Sequence, residues 1–210
     1  MIEIPIDGDL DINGWELRKS LRLLRKGNPV LFEWLKSPIL YVDGRDDLSG
    51  RAWMDDYRAV ASDLFNPMAT VYHYWHMAKG NFREYLHGEV VKLKKYFYVL
   101  RPVLACQWVL SGNGQPPMAF RTLLDKLVPD GPLRLEIEEL LRLKMSAEEM
   151  AQGPSRPAIQ AYLASSLAHI EASVKDFSAT PRSAVIVDQV DDLFRRIVRD
   201  PGWHSCRSGN

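Results

Sequence analysis

The sequence predicts an α+β protein that is predominantly α, with a short N-terminal β-hairpin followed by a multi-helix domain. Apolar residues alternate with polar residues or proline over residues 2–6 and again over residues 10–12, and Asp7-Gly8 between them is typical of a hairpin turn. From Trp15 onward, apolar residues recur at helical spacing, and Gly, Pro and Asn interrupt the pattern. The chain has 210 residues, 46% of them hydrophobic and 26% charged, so it can bury the core of an ordinary globular protein.

Breaks in the helical pattern divide the chain into four predicted segments. Residues 1–42 contain the hairpin and two short helices, and residues 43–150 form the main helical domain. A run rich in Gly and Pro at residues 152–157 marks a boundary, and residues 151–200 form two peripheral C-terminal helices. Residues 201–210 form a loose tail.

The composition argues against a membrane protein and against a secreted protein. The two cysteines, Cys106 and Cys206, have neither metal-ligand nor redox spacing, which is typical of a reducing cytoplasm. Residues 1–6 lack the basic and apolar regions of a signal peptide. The longest apolar stretch, residues 99–110, contains Arg101 and Pro102 and is much shorter than the roughly 20 residues that cross a bilayer. We therefore expect a cytoplasmic protein with no membrane partner.

Charge is distributed unevenly along the chain, although the formal net charge is zero. Residues 1–16 carry five carboxylates and no Lys or Arg. Residues 73–101 carry six Lys and Arg side chains and two Glu side chains, a net charge of plus four. An acidic edge and a basic centre suit a protein that binds a metal ion and a polyanion.

Three carboxylates alternate in the predicted hairpin, at Asp7, Asp9 and Asp11. Side chains two residues apart in a strand share a face, so the three can converge on a hard divalent cation, which prefers oxygen ligands. Turn chemistry is the alternative for Asp7, because Asp in an Asp-Gly turn accepts backbone hydrogen bonds and Gly supplies a positive φ. That alternative leaves Asp11 unexplained. A carboxylate between Leu10 and Ile12 on a half-buried strand is costly unless it is paired or binds a metal.

Two predicted helices each carry a basic and aromatic face. The first helix begins at residues 66–67, and its face has spacings of four, three and four, at Tyr72, His76, Lys79 and Arg83. The second helix is predicted from residue 92 to residue 110, and its face has Lys94, Tyr98 and Arg101 at i, i+4 and i+7, bordered by Lys95. Arg can bind phosphate oxygens with two hydrogen bonds and Tyr can stack on a base, so this column can hold a triphosphate. A solvated helix face is the alternative interpretation of both patterns.

Three separated segments point to a known family. They are residues 10–19 (LDINGWELRK), residues 28–39 (which begin NP and contain FEWLKSPI) and residues 92–102 (KLKKYFYVLRP). In this order they resemble the predicted nucleotidyltransferases of the DNA polymerase beta superfamily, in the branch associated with RNA-ligase repair clusters. The similarity covers residues 1–150 and continues more weakly beyond.

The resemblance implies a metal-dependent nucleotidyltransferase that moves a nucleoside monophosphate from a nucleoside triphosphate to an acceptor such as an RNA end. In this family, three carboxylates on a small mixed sheet hold two Mg²⁺ ions. Asp11 resembles the third carboxylate and is the expected catalytic residue, and Asp9 is the second expected metal ligand. Residues 1–42 then correspond to the C-terminal part of the sheet region, and residues 43–150 to the nucleotide-binding domain. The expected nucleotide-binding residues are Lys79, Lys94, Lys95, Tyr98 and Arg101.

The sequence departs from the family pattern near its start. No Gly-Ser dipeptide occurs in it, its only Asp-x-Asp matches lie within residues 7–11, and six residues precede Asp7. We therefore expect the strand, the Gly-Ser turn and the helix that open the family's sheet to be missing, and the hairpin to be a remnant of that sheet. Because two of the three metal-binding carboxylates would then be absent, we expect little or no transfer by these 210 residues.

Two other functions are compatible with the same residues. A non-catalytic nucleotide- or RNA-binding helical module would use the basic surface without a metal ion. A protein-interaction partner would use the exposed edge of the short sheet as its docking site.

Overall fold

Helices dominate the computed structural model, which describes residues 2–3, 13–38, 48–145, 152–175 and 184–199. The chain begins with strands β1 (Ile2–Glu3) and β2 (Asn13–Gly14) and helices α1 (Leu17–Lys26), α2 (Pro29–Leu35) and α3 (Leu48–Asp63). Helix α4 (Pro67–Tyr85), strand β3 (Val90–Lys92) and helix α5 (Lys94–Leu110) follow. The last elements are α6 (Phe120–Leu127), α7 (Pro132–Met145), β4 (Gln152–Pro154), α8 (Pro157–Lys175) and α9 (Ala184–Arg199). The predicted class, predominantly α with a small β component, is confirmed.

The chain folds into two compact units. Unit 1 comprises Met1–Asn66 and Thr180–Asn210, and unit 2 comprises Pro67–Ala179. This division differs from the predicted segments 1–42, 43–150, 151–200 and 201–210. Strand β4, beside the predicted boundary, pairs with β3 inside unit 2, and α9 packs on α1 and α3 inside unit 1. Helices α8 and α9 each contribute buried residues to the core of their own unit.

In unit 1, β1 and β2 form an antiparallel pair, with Ile2 opposite Gly14 and Glu3 opposite Asn13. The pairing brings the start of the chain beside the residues that directly follow the predicted second strand, as a hairpin requires. The predicted turn at Asp7-Gly8 and the predicted second strand, residues 10–12, lie outside the described residues.

Local signals explain where α1 ends and α2 begins. Gly27 adopts a φ of 64°, and its N–H donates to the carbonyl of Leu24 at 2.8 Å, which terminates α1. Asn28 then caps α2 by accepting from the N–H of Leu31 at 3.2 Å, and Pro29 occupies the first helical position. The helices of unit 1 enclose an apolar core made of Leu21, Leu24, Leu31, Phe32, Tyr57, Val60, Ala61, Leu64, Val190, Leu193 and Ile197.

Helices α4 and α5 form an antiparallel pair in unit 2. Lys95, near the start of α5, contacts Tyr85 at the end of α4, and farther along α5 the Cys106 thiol donates to the Val71 carbonyl at 3.4 Å. Because α5 also packs on α6 and α8, most of its length is buried. The buried residues are Tyr96, Phe97, Val99, Leu100, Pro102, Val103, Leu104, Ala105, Cys106 and Val109. None of the described helices, α5 included, is long and apolar enough to cross a membrane.

Helix α5 begins at Lys94, two residues later than the start predicted at residue 92, because residues 90–92 form strand β3. Strand β3 pairs antiparallel with β4, with Val91 opposite Gly153 and Lys92 opposite Gln152. A Cβ at Gly153 would lie 3.0 Å from Cδ1 of Leu93. The close approach of β4 to Leu93 therefore favours glycine at this position.

Hydrogen bonds from the start of α8 hold the connection between α4 and α5. The backbone N–H of Arg156 donates to the Tyr96 hydroxyl at 2.7 Å, and its guanidinium makes two hydrogen bonds of 3.0 Å to Glu139 on α7. Such a bidentate contact fixes the orientation of the guanidinium as well as its position. Gln160 Nε2 donates to the carbonyl of Leu86 at 3.0 Å, just after α4 ends. Together these bonds tie the first turn of α5 and the end of α4 to α7 and α8.

We predict that unit 2 loses stability at alkaline pH because its core contains an ionisable thiol. Burial raises the pKa of Cys106 above its ordinary value of 9.0. The folded state keeps this proton at a pH where the unfolded state releases it, so the free energy of unfolding decreases as pH rises above the unfolded pKa. The slope approaches about 1.4 kcal/mol per pH unit once the unfolded thiol is ionised. Urea unfolding in reducing buffer, followed by circular dichroism from about pH 7 to about pH 9.5, measures this slope.

Cys106→Ala is the matched control for this prediction. The substitution removes the titrating group, so the alkaline loss of stability should be smaller than in the parent protein, whatever the cavity costs at neutral pH. Burial also raises the pKa of Tyr96 and Tyr162 above 10.0, but both groups titrate at higher pH and remain in both proteins. Equal pH slopes in parent and variant would show that Cys106 is not the responsible group.

Candidate functional site

The predicted nucleotide-binding residues of α5 lie on the side of the helix that the core leaves open. Phe97 and Leu100 face the core, as the predicted apolar stripe requires. On the other side Lys94 is exposed, Tyr98 is 49% exposed and Arg101 is half-buried. Lys94, Tyr98 and Arg101, here called the α5 column, extend about 10 Å along the helix axis.

Lys95 is held between two tyrosine rings. Its Nζ lies 3.8 Å from the ring centroid of Tyr85 and 4.4 Å from that of Tyr98. An ammonium within about 6 Å of an aromatic face is attracted by the quadrupole of the ring. Because Tyr85 belongs to α4 and Tyr98 to α5, this ammonium joins the two helices and orients the exposed Tyr98 ring.

Glu84 interacts with the hydroxyl of Tyr85. Its carboxylate raises the pKa of the Tyr85 hydroxyl above 10.0, mainly through a hydrogen bond from the phenol. Glu84 also places one carboxylate at the edge of this surface, which reduces the positive potential of Lys94 and Lys95 without cancelling it.

Arg101 reaches from the α5 column toward α4. Its Cζ lies 5.9 Å from the ring centroid of Tyr74, which is buried. Pro102 follows inside α5 and has no N–H, so it cannot donate to the carbonyl of Tyr98, but the helix continues to Leu110. Arg101 is thus placed by an aromatic neighbour, and only part of its guanidinium faces outward.

Lys79 is held by α8, away from the α5 column. Its Nζ forms an ion pair of 3.1 Å with Glu171 and lies 4.7 Å from the ring centroid of Trp75. Glu171 also pairs with Lys175 at 3.3 Å. The two lysines lower the pKa of Glu171 through hydrogen bonds, and Lys79 contributes most.

Helix geometry separates Lys79 from Tyr85, the tyrosine of α4 that contacts Lys95. Lys79 and Tyr85 are six residues apart, which places them about 120° from each other around α4. The structure therefore groups Lys95 and Tyr98 with Tyr85 and leaves Lys79 on the side of α4 that faces α8. Because the pair with Glu171 is exposed to solvent, water and salt screen it, and it does not prevent Lys79 from binding a phosphate instead.

The predicted metal ligands, Asp9 and Asp11, lie outside the described residues. Strand β2 begins two residues after Asp11 and pairs with β1. In the part of the chain that the structure describes, no group of three or more His, Cys, Asp and Glu side chains is placed to hold a metal ion. The two-Mg²⁺ site stays a prediction, which rests on the family resemblance and on the preference of Mg²⁺ for carboxylate oxygens.

Helix α1 is the most basic described helix of unit 1, although it lies outside both charged stretches of the sequence. The ten residues of α1, LRKSLRLLRK, contain five cations and no carboxylate. The acidic stretch of the sequence, residues 1–16, ends immediately before α1. The basic stretch, residues 73–101, begins long after it. The nearest carboxylate belongs to Glu16, which caps α1 by accepting from the N–H of Lys19 at 3.2 Å. A charge count made helix by helix reveals this element from the sequence alone.

Unit 1 also contains a small aromatic pocket of about 270 Å³ between α1, α2 and α3. Trp15 and Trp34 line it with stacked rings whose centroids are 4.1 Å apart, and Trp34 is 43% exposed. Tyr57 lines the pocket as well, and its hydroxyl shares a hydrogen bond of 3.0 Å with the hydroxyl of Ser20. Burial raises the pKa of Tyr57 above its ordinary value. An aromatic wall with few polar groups can stack on a planar ring.

Comparison with known proteins agrees with the resemblance read from the sequence motifs. The sequence matches the RNA repair pathway DNA polymerase beta family over residues 1–196, which extends the similarity well past residue 150. The uncharacterized protein YcgL of Bacillus subtilis (strain 168) is 42% identical over 198 residues, a match that covers 94% of this chain and 72% of that protein. No solved structure matches the chain. The expected lack of a Gly-Ser and Asp-x-Asp segment stays a prediction. The chain belongs to the RNA repair pathway DNA polymerase beta family.

Proposed function

We propose that this chain takes part in metal-dependent nucleotidyl transfer, in which a nucleoside monophosphate moves from a nucleoside triphosphate to an acceptor such as an RNA end. The family match over residues 1–196 carries the proposal. Two features of the chain support it, namely the α5 column with Lys95 in unit 2 and the alternating carboxylates that precede β2. The proposed compartment is the cytoplasm, because Cys106 and Cys206 have neither metal-ligand nor redox spacing.

The reaction requires a polarised phosphate and a deprotonated acceptor. An acceptor hydroxyl oxygen forms a bond to the α-phosphorus, the bond from that phosphorus to the β-phosphate oxygen breaks, and pyrophosphate leaves. The hydroxyl proton passes to a carboxylate or to water. Asp9 and Asp11 carry the oxygen ligands that Mg²⁺ prefers, and bound Mg²⁺ would neutralise charge that develops on the phosphate oxygens.

In unit 2, we assign triphosphate binding to the α5 column. Lys94 presents an exposed ammonium with three hydrogen-bond donors, and Arg101 adds a planar guanidinium that can bind two phosphate oxygens. The half-exposed ring of Tyr98, which Lys95 orients, offers a face on which a base can stack. Lys79 is a further proposed phosphate ligand, which would exchange Glu171 for the phosphate.

The first prediction of this proposal concerns Asp11. We expect slow, Mg²⁺-dependent incorporation of labelled nucleotide into an RNA oligonucleotide, and we expect Asp11→Asn to reduce it about 100-fold, to background. Loss of a metal ligand removes several kcal/mol of transition-state stabilisation, and each tenfold in rate corresponds to about 1.4 kcal/mol. Binding of Mn²⁺, measured by electron paramagnetic resonance, gives a second readout that does not depend on turnover.

Asp7→Asn is the matched control for Asp11→Asn. It removes one carboxylate from the same segment, but at the position that turn chemistry explains, so activity and Mn²⁺ binding should stay within about twofold of the parent. Turnover that survives chelation of the metal, or that survives Asp11→Asn, would contradict the proposed role of Asp11. Robust turnover by the parent would instead overturn the expectation that part of the catalytic sheet is missing.

The second prediction concerns triphosphate binding by the α5 column. Lys94→Gln should weaken the binding of ATP about tenfold, because a charge-assisted hydrogen bond contributes about 1.5–3 kcal/mol. Lys126→Gln is the control, since Lys126 is also exposed in unit 2 but lies on α6. Isothermal titration calorimetry without divalent metal measures both. Equal affinities for the two variants would contradict the assignment.

The same titration, repeated with Mg²⁺ and with Asp11→Asn, separates transfer from the non-catalytic alternative. A nucleotide- or RNA-binding module would bind triphosphate equally well with and without Mg²⁺, and Asp11→Asn would not change its affinity. The basic surface of unit 2 favours this second candidate, because Lys94, Lys95 and Tyr98 need no metal to attract a polyphosphate.

A further inference from the structure

We propose that an arginine row on α1 binds the phosphodiester backbone of a single-stranded nucleic acid. The arginine row consists of Arg18, Arg22 and Arg25, which recur at i, i+4 and i+7 and are all exposed. Because an α-helix rises about 1.5 Å per residue, the row is about 10 Å long. A single phosphate cannot contact all three guanidiniums. A strand, which presents a series of phosphates along its length, can do so.

The arginine row lines a groove of about 460 Å³ between α1 and α9. Leu21 and Phe194 supply apolar lining, and the Cζ of Arg18 lies 5.9 Å from the Phe194 ring centroid. That cation–π contact holds one guanidinium at the groove. Asp191 is the carboxylate among the described lining residues, so three arginines leave the groove a net charge of plus two.

Helix stability does not account for the arginine row. Arg25 and Lys26 lie in the last turn of α1, where cations complement the helix dipole. Arg18, however, lies in the first turn, where a cation is unfavourable and only Glu16 offsets it. Arg22 is four residues from Arg18, three from Arg25 and four from Lys26, and like charges at these spacings destabilise a helix. A ligand that brings negative charge relieves this repulsion.

Among the described residues, neither Arg22 nor Arg25 forms an ion pair with a carboxylate. This contrasts with two other arginines of unit 1, since Arg195 pairs with Asp192 at 2.9 Å and Arg196 pairs with Asp56 at 2.9 Å. In the part of unit 1 that the structure describes, an external anion would therefore displace no carboxylate from Arg22 or Arg25.

The shape of the groove favours a single strand. A cleft between two packed helices is concave, so it admits an extended chain more readily than the convex face of a duplex or a flat bilayer. Guanidinium groups bind phosphate oxygens with two parallel hydrogen bonds, and the apolar lining can contact sugars or bases. The site does not depend on the proposed transfer reaction, because none of its residues was assigned to that reaction.

Fluorescence anisotropy with a labelled single-stranded RNA of about 12 nucleotides tests the proposal, in the absence of triphosphate and divalent metal. Each neutralised phosphate of a single strand contributes about 0.7 to the slope of log affinity against log salt. The double variant Arg22→Gln with Arg25→Gln should therefore lower that slope by about 1.4 and weaken binding about tenfold at low salt. Arg22→Lys with Arg25→Lys should keep the slope and lose affinity, because lysine retains the charge but lacks the planar fork.

Arg195→Gln with Arg199→Gln is the matched control. It removes the same charge from the same unit, but at a second groove on α9 that Val60 and Asp192 line. Its slope and affinity should equal those of the parent, and circular dichroism melting verifies that every variant is folded. Equal effects of the two double variants would overturn the proposal, as would binding of the parent to vesicles with about one-third anionic lipid but not to oligonucleotides.

A DNA oligonucleotide of the same sequence completes the experiment. If the arginine row contacts the phosphodiester backbone alone, the double variant Arg22→Gln with Arg25→Gln should lose affinity equally for RNA and DNA. A loss confined to RNA would assign the same groove to RNA with recognition of the 2′-hydroxyl. No loss with either oligonucleotide would overturn the proposal. Because no metal or triphosphate is present, failure here leaves the proposed transfer reaction untouched, and failure of transfer leaves this site untouched.

Discussion

Burial of α5 is the constraint on which the organisation of unit 2 depends. Ten of its residues are buried, from Tyr96 to Val109, because α4, α6 and α8 all pack against it. A helix enclosed on so much of its circumference can present polar groups only where its neighbours leave a gap. In α5 that gap lies at the first two turns, where Lys94 and Tyr98 are exposed. The position of the candidate nucleotide surface is therefore a consequence of core packing.

Polar contacts then fix the details that packing leaves open. The Lys95 ammonium between the rings of Tyr85 and Tyr98 links the end of α4 to the start of α5. On the other side, the Arg156 backbone donates to Tyr96, which sets how α5 begins relative to β4 and α8. Apolar contacts are non-directional, whereas these hydrogen bonds and ring contacts require defined geometry. They orient the side chains that the proposed function uses.

Helix α1 in unit 1 combines a buried apolar face with an unusually high density of positive charge. Leu21 and Leu24 bury one face of it in the core of unit 1, and that burial maintains the helix. Its other faces carry five cations that repel each other. The intrinsic helix propensity of these residues would not keep so short a segment helical. The core thus supports a concentration of charge that an isolated helix would not tolerate. Such a surface is a reason to look for a partner that supplies the opposite charge.

Much of the fold follows from local sequence signals. The Asn28-Pro29 start of α2, the Gly27 end of α1, the helical spacing of Phe97 and Leu100 and the start of α4 at Pro67 are all present in the sequence. The i, i+4 and i+7 column of Lys94, Tyr98 and Arg101 was predicted for the same reason, since helical periodicity fixes which residues share a face. The sequence by itself thus determined the class, most helix boundaries and the composition of the candidate surface.

Only the tertiary structure decided which faces meet. Residues 90–92 became a strand because Gln152 and Gly153 lie opposite them, some 60 residues away in the sequence. Lys79 lies on the side of α4 that faces α8, where it pairs with Glu171, 92 residues away in the sequence. Helix α9 contributes Val190, Leu193 and Ile197 to the core of unit 1, which otherwise consists of residues before Asn66. Local patterns specify that a face is apolar or charged, but the partner that covers it is set by the free energy of packing the whole unit, which no short segment encodes.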